Sequence, residues 1–322
     1  MADLRNPQRE ASERLGGRYE VRVLEPSPPA VDDGEFFADD PAVRGEAPAG
    51  ALVVGPTTGC DLTWDALCAG DPDLSAWCAD RWLGSWRPLP SLPPRWIKTR
   101  ESLRRLACYV LAPARKAANG KIGLRFTHGG FGTPFFGPKG SNTDEQLRVV
   151  GAQLVRQQGG DVSAEDITTL EAVAAFAGAS LSADPGVGSD LPGLGDPAAP
   201  LPVDEAASRA LGEWFGFAAS VLEQLRAELA AAGETSSRVQ LWPEHFDLGL
   251  NIEGVNFGCS PGDAGHPEPY LYVSPWDRTG LSGDYWNAPF GAVLPYADLL
   301  ATRDERLAAL TFLRHGVELS RA

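Results

Sequence analysis

The chain of 322 residues is poor in several things at once. It has one methionine and only four lysines, Lys98, Lys116, Lys121 and Lys139, and its formal net charge is −15. Phosphate backbones and anionic membranes both select for clustered Lys and Arg, so neither a nucleic-acid partner nor a membrane partner is expected. No apolar run approaches the roughly 20 residues of a membrane span. The opening residues, MADLRNPQREASERLGG, lack the apolar stretch of a secretory signal. The five cysteines, Cys60, Cys68, Cys78, Cys108 and Cys259, are odd in number and form no C-x-x-C pair. That argues against a zinc ribbon and against a disulfide framework, and it points to a reducing, cytoplasmic setting. No H-E-x-x-H or G-x-G-x-x-G spacing occurs, so neither a metal nor a cofactor is expected.

What is present is enough apolar material for a sizeable core: 43% hydrophobic residues, among them nine tryptophans. Residues 1–95 read as an irregular region that wraps the core. Short strands are plausible at Tyr19–Leu24 and Ala51–Val54, and short helices at 61–68 and 73–82. Prolines 88, 90, 93 and 94 exclude helix and central strand, so Trp82–Trp96 reads as an extended wrap. Residues 96–178 form a first α/β unit. Leu103, Leu106, Ala107 and Val110 recur at helical spacing, Pro113 kinks or shortens that helix, and Asn119-Gly120 ends it. Lys121–Phe126 is a strand, GGFGTPFFGPKGSN a loop, and Glu145–Gln158 a long strand or a hairpin bent at Gly151. Thr168 with Glu171 has the pattern of a capping box. Residues 179–202 have the composition of a linker.

Residues 203–322 form a second unit. Its helix starts near Asp204 and stops at Gly233, with Leu211, Trp214, Phe215, Ala218, Val221, Leu222, Leu225 and Leu229 on one stripe. Tyr270, Tyr272, Ser274 and Trp276 alternate with Leu271 and Val273 in a strand. Thr302 and Glu305 cap a last helix. KIGLRFTH, from Lys121, lies on RVQLWPEH, from Arg238, so the helix–strand–strand–helix order reads as one unit used twice. The expected fold is α+β: mainly antiparallel sheet with helices packed on it.

The densest collection of functional groups is Arg238–Trp276, which holds His245 and His266 beside Glu244, Asp247, Glu253 and Asp263. Taken as a strand, WPEHFDLGLN puts Trp242, Glu244 and Phe246 on one face. His245, Asp247 and Asn251 fall on the other, where the aspartate would orient the imidazole. Cys259-Ser260-Pro261-Gly262-Asp263 reads as a tight turn rather than a nucleophile site. Gly132 to Lys139 imitates a phosphate loop, but Pro138 intervenes and no helix follows.

The segments GKIGLRFTHGGFGTP and LWPEHFDLG…SPGD…EPYLYVSPW resemble those of an uncharacterised actinobacterial family, over roughly Trp96 to Trp276. That resemblance implies no activity. The leading reading is a small-molecule-binding protein whose pocket is walled by Phe131, Phe135, Tyr270, Tyr272 and Trp276. Arg125, Asn251, His245 and Asp247 would supply its polar contacts. A second reading is an enzyme with His245 as general base oriented by Asp247. A third is an interaction protein whose aromatics are all core.

Overall fold

The computed structural model describes residues 89–127, 130–134, 136–137, 145–158 and 161–321. The two strands and two helices expected before residue 89 lie outside the described residues, as do His128 and Phe135. From Leu89 to Pro93 the chain has no regular secondary structure. The Leu89 N–H donates to Glu305 Oε2 at 2.9 Å, and the Tyr296 hydroxyl donates to the Pro90 carbonyl at 2.5 Å.

Helix α1, Trp96–Leu106, continues through a π-helical turn, Ala107–Leu111, into α2, Ala112–Asn119. Pro113 sits in the first turn of α2. It has no N–H to give to a preceding carbonyl, and the wider π turn directly before it absorbs that lost bond without ending the helix. Gly120, at φ 83°, does end it, with its N–H on Lys116 O at 2.8 Å.

Two antiparallel five-stranded meanders follow. The first is β1 (Arg125–Thr127), β2 (Gly130–Gly132), β3 (Glu145–Val150), β4 (Gln153–Gln158) and β5 (Asp161–Asp166), in chain order. The second is β6 (Gln240–Trp242), β7 (Asp247–Ile252), β8 (Val255–Ser260), β9 (Tyr270–Pro275) and β10 (Ala292–Pro295), also in order. Gly151, at φ 59°, makes the β3–β4 bend. The meanders touch where Leu124 and Leu241 exchange N–H···O bonds, each 2.8 Å. These two leucines are the ones that KIGLRFTH and RVQLWPEH superpose.

Between the meanders come α3 (Leu170–Ala177) and α4 (Glu205–Ala231); α5 (Tyr296–Leu300) and α6 (Glu305–Leu319) close the chain. All eight residues of the α4 stripe are buried. They pack on β1 and β2 of one meander and on β7 and β8 of the other, so one helix covers the junction of both sheets. The fold is α+β, with helices on antiparallel sheet. Two caps fall one or two residues later than the sequence pattern puts them. Thr169 accepts from Ala172 N at 3.1 Å, and Asp304 accepts from Leu307 N at 2.9 Å. Thr302 does not cap because its hydroxyl donates to Leu299 O at 2.7 Å. Among the described residues no helix is long and apolar enough to cross a membrane.

The segment expected to be a glycine-rich loop contains a strand, β2. Its glycines answer to close packing rather than to flexibility. A Cβ on Gly132 would clash with the Leu147 carbonyl oxygen and stand 2.7 Å from Arg148 Cα. Gly132→Ala must therefore push β2 off β3. It is expected to cost roughly 1–3 kcal/mol, the usual range for overpacking, read as a lower denaturation midpoint.

Candidate functional site

A cavity of about 570 Å³ opens on the polar face of the second meander. Two glycines outside its lining set the position of Tyr272 on its wall. Gly249 on β7 pairs with Gly258 on β8, and Gly258 pairs with Tyr272 on β9. A Cβ on Gly258 would run into the Tyr272 ring, and one on Gly249 would lie 3.4 Å from its hydroxyl. Two adjacent glycines thus let the Tyr272 ring lie flat across the sheet and reach Asp247. Leu271 and Val273 point the other way into the core, so the alternation expected for β9 holds.

WPEHFDLGLN is not one strand. The chain turns at Pro243–Phe246, with Phe246 N bonded to Trp242 O at 2.7 Å, and Trp242 pairs with Asp247 across the hairpin. Pro243 has no N–H to extend the ladder. Phe246 takes a left-handed φ of 59° because its ring is held in the core between Phe131 and Phe215. The strand reading therefore fails at this point, although His245 and Asp247 still line one cavity and interact electrostatically. His245 is at the turn tip with its side chain 59% exposed, and its Nδ1 is 3.9 Å from Asp190 Oδ2. That is too long for a hydrogen bond.

Asp247 is 7% exposed and takes its bond from the Tyr272 hydroxyl through Oδ2. Its Oδ1 is buried with no hydrogen-bond partner. Burial pushes the Asp247 carboxyl above the usual carboxylate range, and the Tyr272 bond only partly offsets that. Asp263 makes the opposite case. Burial raises it, but the Tyr270 hydroxyl at 2.5 Å and the N–H groups of His266 at 2.8 Å and Gly265 at 2.6 Å outweigh this. Its carboxyl therefore lies below the usual range. Each tyrosine donates its one proton to a carboxylate, and burial holds both hydroxyls well above the ordinary tyrosine range.

Helix α1, the π turn and the two loops that bound the cavity are joined by one row of donors. Trp96 Nε1 donates to Pro261 O at 3.2 Å, Arg100 to Pro267 O at 2.9 Å, Arg104 Nε to Glu244 O at 2.8 Å, and Cys108 Sγ to Pro243 O at 3.0 Å. Residues four apart share a helix face, so these side chains form a stripe aimed at backbone carbonyls. Burial pushes the Cys108 thiol up to about 12, which keeps it a donor. Arg104 also reaches Asp190, through its carbonyl at 2.7 Å and its carboxylate at 3.3 Å. Asp190 belongs to the segment of linker composition, 179–202. That stretch is strapped to the helix, with Tyr109 donating to Pro192 O at 2.5 Å and Lys116 to Gly186 O at 2.8 Å.

Of the expected site residues, the cavity brings together His245, Asp247, Tyr270 and Tyr272, and it adds Arg104, Asp190, Asp263 and Phe290. The others lie elsewhere. Phe131 is in the core, 1% exposed. Arg125 is buried in the first meander, within electrostatic reach of Glu223 on α4. Asn251 holds the β7–β8 turn, bonding Asn256 at 2.8 Å and Gly254 N at 3.2 Å. Trp276 is 72% exposed at the far end of β9, beside Gly254.

Gly258-Cys259-Ser260-Pro261-Gly262 fits the G-x-S-x-G spacing of a nucleophile elbow, which a reading by turn chemistry passes over. The structure denies it that context. Ser260 ends an antiparallel strand, the next element is β9 rather than a helix, and Oγ accepts from Gly262 N at 3.1 Å. Among the described residues no group of His, Cys, Asp and Glu is placed to hold a metal ion. No protein-family model, curated protein or solved structure matches the chain.

Proposed function

We propose that the cavity beside Asp247 is the binding site for a small molecule with a polar head and a partly apolar body. The observation that carries this reading is the cavity itself, which gathers Tyr270, Tyr272 and Phe290 beside Arg104, Asp247 and Asp263. The rings of Tyr270, Tyr272 and Phe290 supply apolar wall. The volume lies within the roughly 300–1,000 Å³ of small-molecule sites. Binding has more support than general-base catalysis, because Asp247 is bonded to Tyr272 and not to His245.

The test is thermal unfolding of the full chain with fractionated metabolite extract. A ligand present at a hundred times its Kd stabilises the folded state by about 2.7 kcal/mol. The midpoint of the wild type is expected to rise, and that of Ser274→Trp, which fills the cavity from β9, is expected to stay put. No rise in the wild type, or an equal rise in both, would remove the cavity as the site.

A further inference from the structure

We infer that a second cavity, at the Trp276 end of β9, binds a neutral carbohydrate whose sugar ring stacks on the Trp276 indole. Among the described residues this cavity shares no lining residue with the one beside Asp247.

The second cavity has a volume of about 660 Å³ and lies between the β7–β8 turn, the stretch 275–286 and the end of α6. Trp276 on its wall is 72% exposed, the most exposed large apolar side chain among the described residues. A loose backbone is not the reason. Its N–H donates to Gly254 O at 2.9 Å, and its ring lies against Gly254, where a Cβ would stand 3.5 Å from Cε3. The indole is thus supported by the turn and otherwise open. Single exposed apolar side chains are ordinary on protein surfaces. This one differs because it shares a cavity with a second tryptophan, Trp286. Trp286 is half-buried and held edge-on by Tyr285 at 5.0 Å, and the Tyr285 hydroxyl donates to Phe312 O at 2.9 Å. Both indoles are therefore fixed before any ligand arrives.

The polar groups around the two rings narrow the chemistry. Glu253 and Asp277 offer carboxylate oxygens, Ser282 a hydroxyl, and the two indoles an N–H each. Of these, only Asp277 is bonded within the protein, by the Thr279 N–H at 2.9 Å and the Thr279 hydroxyl. The Ser320 hydroxyl is committed to Gly316 O at 2.7 Å. No Lys, Arg or His is among the described lining residues, so an anion would meet two carboxylates and no cation. A cation would meet carboxylates that stand in water, where ion pairs contribute little. A quaternary ammonium also needs several rings around it, and no other ring packs on Trp276 among the described residues. A flat aromatic would cover the indole and leave the groups at its edge unused. A pyranose answers both demands. One of its faces carries axial C–H groups and is apolar, and its hydroxyls project around the rim, where each can donate and accept. With the C–H face on Trp276, the rim meets acceptors at Glu253 and donors at Ser282 and the second indole. The volume is in the range of small-molecule sites, roughly 300–1,000 Å³, and suits one or two sugar rings.

The experiment uses four probes: cellobiose, maltose, choline and indole. Each is titrated against the full chain by saturation-transfer NMR, with wild type, Trp276→Ala and Glu253→Gln. At least one disaccharide is expected to bind the wild type, with the strongest transfer to the axial C–H protons of one ring face. Its affinity is expected to fall about tenfold or more in Trp276→Ala, as for other aromatic anchors, and by a smaller factor in Glu253→Gln. Choline or indole binding more tightly than both sugars would overturn the carbohydrate reading. A sugar affinity unchanged in Trp276→Ala would overturn the platform. Neither sugar binding the wild type would overturn the inference as a whole. Trp276 is exposed, so its removal is expected to leave folding intact, and unfolding curves on the same samples show that lost binding is not lost folding.

Discussion

Asp247→Asn is expected to make the protein more stable at pH 8 by roughly 1–3 kcal/mol, because it removes a buried charge whose hydrogen bonds do not offset its burial. The substitution keeps the shape of the side chain, and the Asn carbonyl oxygen can still accept from Tyr272. The pH dependence carries the sign. Burial raises the folded-state carboxyl above its ordinary value of 3.8, so the folded protein binds this proton more tightly than the unfolded chain does. Stability from this group is fully present below about pH 4 and is lost as pH rises through the raised value. The wild type and Asp247→Asn should therefore have similar stability at low pH, and the variant should pull ahead on the way to neutrality. Every tenfold difference in proton affinity between the folded and unfolded chain adds about 1.4 kcal/mol to that gap. Glu244, Tyr272, Cys259, His245 and Arg104 interact with Asp247 electrostatically, so the difference between the two curves reads the Asp247 carboxyl together with its effect on these neighbours. A variant less stable than wild type at pH 8 would mean that Asp247 is retained for folding. A more stable variant would mean that the fold carries a costly charge that folding does not require.

The parts of this fold that are legible in the sequence are those whose signal is local. The stripe on α4, from Leu211 to Leu229, is a matter of spacing, and every member is buried. Tyr270 and Tyr272 alternate with Leu271 and Val273, and the polar and apolar sides separate as a period of two requires. Gly151 and Gly120 bend or end their elements because a positive φ is a local demand. The parts that are not legible depend on distant partners. Gly130 and Gly132 look like loop glycines, and only the position of β3 makes them strand residues. The turn at Pro243–Phe246 breaks an apparently continuous strand, because the core claims the Phe246 ring at the expense of its backbone. Trp96, Arg100, Arg104 and Cys108 resemble any mixed helix face. Their acceptors are main-chain carbonyls, which leave no trace in the sequence. Asp190 is hidden for a similar reason, since its segment is ordered by the helix it crosses. The candidate site is thus half visible: its carboxylate and tyrosines lie in one motif-rich segment, and the frame that holds them does not.

Phe246→Ala should cost about 3–5 kcal/mol, the range for removing a buried aromatic ring. The ring is 1% exposed and meets Phe131 edge-on at 4.9 Å and Phe215 edge-on at 5.4 Å, while those two rings meet each other at 5.9 Å. Such edge-on pairs contribute about 0.5–1.5 kcal/mol each beyond the area they bury. They also join the first meander, α4 and the second meander at one point, so the loss should lower the single unfolding midpoint rather than loosen one sheet. The backbone adds a second test. At φ 59° an alanine is strained and a glycine is not. Phe246→Gly is therefore expected to be no worse than Phe246→Ala, although glycine ordinarily costs more through the entropy of the unfolded chain. Equilibrium denaturation of the two variants reads both effects. A loss below about 1 kcal/mol in Phe246→Ala would mean that the three-ring contact does not hold the sheets together. A glycine variant clearly weaker than the alanine one would mean that the turn before Asp247 is not left-handed. The site would feel the change as well: Phe246 fixes the residue that follows it, so Phe246→Ala should speed hydrogen exchange at the amide of Asp247 more than at Gly258, where the Tyr272 ring still covers the strand.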